Sequence, residues 1–222
     1  MKEGVNFDDQ VLSALFFADD LVLISRTKRR GMERMLRACN RFCKGMDMKL
    51  AVEKTVMLTT GPAGTSWKVS DNDPSLEAVL VGKYLGIDIQ VKGRNLIKGR
   101  EEKMVATVQK YANAIIGLSM NGLDRAVAAH TLWERCAIPA VLYCSETMII
   151  TKGALDKLDK IQHMVARYIL QLPKPSARVA GSMDAGLMQM KDRVATRTGL
   201  FVWKIQNKKT DKILKAVFVS VM

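Results

Sequence analysis

Asp19 and Asp20 stand side by side in SALFFADDLVLIS, residues 13–25, with apolar residues on both sides of the pair. Carried into a core on a strand, two adjacent carboxylates cost several kcal/mol unless something cationic meets them. They must sit at a bend in water, against a counter-charge, or both. Cys39 and Cys43 fall one helical turn apart, a geometry that can bind metal. His130 and His163 are the only histidines, both distant in sequence, and no CxxC pair exists. Packed thiols on an apolar helix face are the expectation for these cysteines.

The elements that position the acidic pair follow from pattern. Residues 4–7 and 11–17 read as two arms of a hairpin, with Asp8, Asp9 and Gln10 as its polar turn. After Ala18-Asp19-Asp20 the strand pattern resumes over residues 21–24, which predicts a second, tighter hairpin. Its tip lifts both carboxylates out of the core and removes the burial cost. Over residues 28–46, Met32, Met35, Leu36, Cys39, Phe42, Cys43 and Met46 recur with the three-and-four rhythm of one helix face. Arg29, Arg30, Arg34, Arg37, Arg41 and Lys44 occupy the other face, which is solvated surface first and an RNA contact second.

Short strands are expected at 48–50 and 55–59, a loop at 61–74 from its Gly, Ser, Thr, Asp and Pro content, and a strand pair at 79–89 bent at Gly82 and Gly86. The pattern then becomes helical, over 100–120, 124–143, 154–172 and 191–208, with Pro139 as a kink and Trp133, Tyr168 and Trp203 as core anchors. The fold class expected is α+β, with strands and one helix first and a helical bundle after. The joint falls at 91–96, and the units are 1–92, 93–172 and a helical extension at 173–222.

The chain has 222 residues, 48% of them apolar, and a net charge of +13 from 35 Lys and Arg against 22 Asp and Glu. That field attracts polyanions, nucleic acid ahead of an anionic membrane. Clusters at 26–30, 98–103 and 204–215 carry much of it. Aromatics make up 6% of residues, so the expected contact is with phosphate backbone rather than with bases. The first ten residues are polar and do not read as a signal peptide, and no apolar run is long enough to cross a bilayer. Four cysteines without regular spacing fit a reducing setting. The expectation is an intracellular protein, in nucleus, cytoplasm or an organelle, without a membrane partner.

Phe17-Ala18-Asp19-Asp20 resembles the F/Y-x-D-D tip of reverse transcriptases, and LFFADDLVLIS is most similar to the non-LTR retrotransposon branch. The order of segments strengthens the likeness. A basic helix follows, then MKLAVEKTVML and KYLGIDI, which resemble the next two palm motifs. LWERCAIPAVLYCSE and LDKLDKIQHMVARYILQLP are similar to the thumb and the region after it. The likeness covers nearly the whole chain.

That resemblance implies a partial reverse-transcriptase palm followed by a thumb-like bundle. It implies an RNA-directed DNA polymerase in which Asp19 and Asp20 are catalytic ligands for Mg²⁺, with Asp19 the stronger. Phosphoryl transfer of this kind uses two cations on hard carboxylate oxygens. Lys54 matches the lysine near the nucleotide phosphates. Lys83, Tyr84 and Gly86 match the hairpin that grips the primer backbone, and Arg29 and Arg30 add nucleic-acid contacts. The implied partner is RNA or an RNA/DNA hybrid.

Two departures qualify this. Ala51 stands where relatives carry asparagine, so a local hydrogen bond beside Lys54 is lost. The family's third aspartate and its nucleotide-selecting segment lie upstream of the hairpin, and eighteen residues precede Asp19, too few to hold them. Asp8 and Asp9, on the far turn, do not substitute. The isolated chain is therefore expected not to polymerise. The alternative is a non-enzymatic RNA-binding scaffold in a ribonucleoprotein. An open strand edge at 12–17 should recruit a protein partner in either case.

Overall fold

Two hairpins open the chain. In the computed structural model, which describes residues 3–7, 10–26, 29–59, 66–68, 75–91, 99–118 and 124–207, β1 (Val5–Phe7) pairs antiparallel with β2 (Gln10–Leu12). Asp8 and Asp9 lie outside the described residues. Gly4 is required at its position, because a Cβ there would stand 2.4 Å from the Leu12 carbonyl oxygen. β3 (Ala14–Phe17) then pairs with β4 (Asp20–Leu23), and Ile24 N–H donating to the Ser13 carbonyl at 2.9 Å extends that ladder.

α1 (Arg29–Gly45) buries Met35, Leu36 and Cys43 on the predicted face. Phe42 and Met46, placed on the same face by periodicity, are 59% and 61% exposed. The helix ends at Asp47, whose φ of 56° turns the chain so that Met48 N–H donates to the Cys43 carbonyl at 2.8 Å. The expected strand at 48–50 is absent, since Met48 spends its donor on the helix end. A single 3-10 turn, Val52–Lys54, leads into β5 (Met57–Leu58).

The expected loop at 61–74 contains a strand. β6 (Ser66–Trp67) pairs with one side of β7 (Leu76–Val79), and β5 pairs parallel with the other. Glycine- and proline-rich composition hid a two-residue strand that exists to bury Trp67. Leu36, Met57, Trp67 and Leu76 form the core here, with Leu23, Met32, Leu50 and Val52 packed around them. Burying an aromatic or aliphatic side chain of this size stabilises by roughly 1.5–3 kcal/mol, so the small sheets hold through side chains more than through ladders. β8 (Val81–Tyr84) and β9 (Ile87–Gln90) close the strand region. Gly82 lies mid-strand with the Val56 Cγ1 3.1 Å from where a Cβ would stand. Gly86 sits in the turn between the two strands at φ 79°, where the pair is expected to bend.

The chain divides into two compact units, the first formed by residues up to Lys98 and the second by Gly99–Asn207. The architecture is mixed α+β, with small sheets in the first unit and helices alone in the second, among the described residues. α2 (Arg100–Gly117) and α5 (Lys152–Leu170) are the principal pair of the second unit. Met104, Val108, Ala112 and Ile115 face Leu158, Ile161, Val165 and Ala166 in one core. α3 (Arg125–Leu132) starts at Asp124, whose side chain accepts from Ala126 N–H and Val127 N–H at 2.8 and 3.1 Å. Its continuation, Trp133–Ala137, is a π turn, and α4 (Ile138–Val141) follows. Pro139 has no N–H and its ring crowds the preceding turn, and the wider π turn just before it accommodates the kink expected there.

α6 (Arg178–Asp184) was not legible in the sequence, whose Gly181 and Ser182 depress helix propensity. Both are buried, and no Cβ fits at Gly181 without pressing the His163 ring. α7 (Met190–Asn207) begins where Met190 N–H donates to Asp159 at 2.8 Å. Burial pushes the Asp159 carboxyl up, and that hydrogen bond draws it partly back. The residues beyond 173, set apart above as an extension, thus lie as far as Asn207 in the same unit as α5. Trp133 is fully buried and Tyr168 packs at the core edge, whereas Trp203 is 53% exposed and anchors nothing. No helix among the described residues is long and apolar enough to cross a membrane.

Candidate functional site

The β3–β4 register places Phe17 opposite Asp20, so Ala18 and Asp19 form the two-residue turn. Ala18 takes a φ of 52°, the left-handed region that suits glycine and costs an L-residue roughly 1–2 kcal/mol. Asp19 is at the apex and Asp20 opens β4, and both are exposed. Water solvates the two carboxylates, which removes the burial penalty. At the opposite end of β4, Leu23 packs on the core formed by Leu36, Met57, Trp67 and Leu76. The hairpin is thus anchored at its base and open at its tip. Phe16 and Phe17, beside the carboxylates, are 75% and 61% exposed. β3 pairs with a strand on one side only among the described residues.

Mg²⁺ takes hard oxygen donors and keeps several waters. Asp19 and Asp20 fit it in kind, as carboxylates open to solvent. They fall short in number, since no group of three or more His, Cys, Asp or Glu capable of holding a metal occurs among the described residues.

Lys54 closes the 3-10 turn and is exposed. The Ala51 carbonyl accepts from Lys54 N–H at 3.0 Å and from the Thr55 hydroxyl at 2.9 Å. Lys83 is exposed and Tyr84 half-buried on β8, and the turn that follows, Leu85-Gly86, has φ of 46° and 79°. This hairpin leans on β5, the strand after Lys54, through Gly82 against Val56 and Leu58. The structure therefore sets the segment that follows Lys54 against the β8–β9 hairpin. Among the described residues no hydrogen bond or ion pair joins Asp19 or Asp20 to Lys54, Lys83 or Tyr84.

Arg30 is exposed at the start of α1, and the side chain of Arg29 lies outside the described residues. Arg30, Arg34, Arg37, Arg41 and Lys44 form one exposed stripe at helical spacing. Arg34 is paired with Glu3 at 2.9 Å and Arg37 with Glu33 at 3.7 Å. Arg30, Arg41 and Lys44 have no ion-pair partner among the described residues.

Cys39 is half-buried and Cys43 buried, and burial, then the neighbouring Cys43, pushes the Cys39 thiol up. That favours the protonated, packed thiol over a metal-binding thiolate. Arg193 is committed within the second unit. It makes a two-pronged ion pair with Glu134, one arm at 2.9 Å, and donates to the Met188 carbonyl at 2.9 Å. Sequence reasoning passed over His163, which looks like one polar residue in an apolar helix. The structure buries it to 6% exposure, 3.3 Å from the Ser176 hydroxyl. Compared with family models, curated proteins and solved structures, the chain matches none.

Proposed function

We propose that the chain is part of an RNA-directed DNA polymerase of the non-LTR retrotransposon type. In this reading the first unit is part of a palm and the second is thumb-like, with Asp19 and Asp20 as its divalent-cation ligands. The observation that supports the reading best is the hairpin tip itself, a two-residue turn holding one carboxylate at its apex and the next on the first strand residue, both in water. Bound there, Mg²⁺ would supply charge neutralisation for phosphoryl transfer. Lys54 would attract nucleotide phosphates, and Lys83, Tyr84 and the tight Gly86 turn would lie along a primer backbone.

Two carboxylates hold a hydrated cation weakly and leave a triphosphate unplaced, so the isolated chain does not extend a primer. A third acid has to come from another segment or subunit. Primer extension on an RNA template with Mg²⁺ tests both statements. Robust incorporation by the isolated chain that Asp19→Ala abolishes would sustain the polymerase and overturn the inactivity. If an upstream palm segment supplied in trans gives activity that ignores Asp19→Ala, the assignment of the doublet fails.

A second reading has its own observation. The exposed α1 stripe ending in Arg41 and Lys44 needs only a stable frame to neutralise phosphates. On that reading the chain is a non-enzymatic RNA-binding scaffold of a ribonucleoprotein. RNA affinity unchanged in Asp19→Ala/Asp20→Ala and reduced in Arg41→Gln/Lys44→Gln would favour the scaffold.

A further inference from the structure

In the second unit, α5 and α6 and the segment joining them carry arginines that no ion pair neutralises among the described residues. His163 lies on α5 with its Nε2 3.3 Å from the Ser176 hydroxyl. Arg167 follows one helical turn later on α5, and Arg178 stands one turn before Gly181, the residue pressed against the His163 ring. Neither guanidinium has an ion-pair partner among the described residues, and the Arg167 Nε is buried with no hydrogen-bond acceptor. Lys174, exposed between Pro173 and Pro175, adds a further cation to the joining segment. Burial first, then Arg167 and Arg178, hold the His163 imidazole below its ordinary value, although Ser176 opposes them. The lasting charge of the cluster belongs to the arginines.

A buried guanidinium donor without an acceptor is costly and rarely left so. The Arg167 Nε itself is out of reach of an outside anion, so the remaining N–H groups of Arg167 and those of the exposed Arg178 are the donors an oxyanion would meet, and arginine's planar fork fits phosphate in particular. We infer that Arg167, Arg178 and Ser176 form a binding site for a phosphate group, carried by free phosphate or by an RNA backbone. The site is independent of Asp19 and Asp20, and of whether the chain polymerises.

The test uses the full chain at fixed ionic strength. Inorganic phosphate replaces chloride while the His163 ring resonance and the unfolding temperature are followed. A labelled single-stranded RNA is titrated in parallel by fluorescence anisotropy. Arg178→Gln and Arg167→Lys are compared with Lys110→Gln, which removes an exposed charge on α2. The expected result is a phosphate-specific shift at His163 that both arginine variants weaken by about tenfold and that Lys110→Gln leaves intact. Parallel loss of RNA affinity in Arg178→Gln identifies the backbone as the source, and phosphate loss alone identifies a free phosphate. Should Arg167→Lys fail to fold by circular dichroism, Arg178→Gln, at an exposed position, carries the test. Identical responses to phosphate and chloride overturn the inference, as do equal losses in Arg178→Gln and Lys110→Gln.

Discussion

Phe17 and Asp20 face each other across the turn Ala18–Asp19, and this pairing keeps Asp19 at the apex of the hairpin. Its weak point is Ala18 at φ 52°. Ala18→Gly should stabilise the first unit by about 1 kcal/mol, whereas Ala18→Val, β-branched in the same region, should destabilise it by about 2 kcal/mol. Urea unfolding followed at Trp67 measures both. Equal midpoints for the two variants would mean that the turn is not built as described.

Divalent-cation binding at the tip should be weak, with a dissociation constant on the order of a millimolar, because two carboxylates and water are the whole donor set. Mn²⁺ added to labelled protein should broaden amide signals around residues 17–21 and nowhere else. Asp19→Ala should abolish the effect and Asp20→Ala should reduce it. Broadening that survives Asp19→Ala places the cation elsewhere.

The second unit should lose stability when Gln162 is replaced by leucine. Gln162 is fully buried, accepts from the Trp133 indole N–H at 3.2 Å and donates to the Met188 carbonyl at 3.0 Å. Leucine of similar size orphans both groups, a loss of about 2–4 kcal/mol. Adding Trp133→Phe removes one orphan, so the double variant should be less destabilised than the sum of the singles.

His163 gives the second unit a dependence on pH. Its folded pKa lies below the ordinary 6.5, through burial and then Arg167. Between the two values the unfolded chain binds the proton more readily, so stability rises with pH there. The contribution is complete above 6.5 and is lost as pH falls from 6.5 through the folded value. Arg167 on α5, Arg178 on α6 and the Ser176 hydroxyl are the groups that act on the ring. Denaturation midpoints at about pH 7.5 and about pH 5.5 should differ more in the native sequence than in His163→Gln.

α5 ends on Gln171 in the left-handed region, φ 57°, with Leu172 N–H donating to the Arg167 carbonyl at 3.0 Å. Glycine is the residue this closure favours. Gln171→Gly should raise stability by about 1 kcal/mol without altering phosphate binding.

Local periodicity reported the long elements well. The spacing of Met35, Leu36 and Cys43 located α1, helical periodicity over 100–120 located α2, and apolar strand runs on both sides of Ala18-Asp19-Asp20 located the hairpin. Each of these is an element whose apolar residues repeat with its own geometry, so a short window of sequence contains the signal. β6 and α6 have no such signal. Trp67 becomes a strand residue only because β7 lies beside it, and α6 can hold Gly181 only because His163 fills the space a side chain would take.

The same division runs through the candidate sites. The residues alone required that Asp19 and Asp20 avoid the core, since burying adjacent carboxylates is prohibitively unfavourable whatever the fold. Folding decided which cations remain available. Arg34, Arg37 and Arg193 found carboxylates on other segments or turns, while Arg167 and Arg178 lie near His163 without one among the described residues. Pairing between charges distant along the chain depends on how elements pack, and that information exists only in three dimensions.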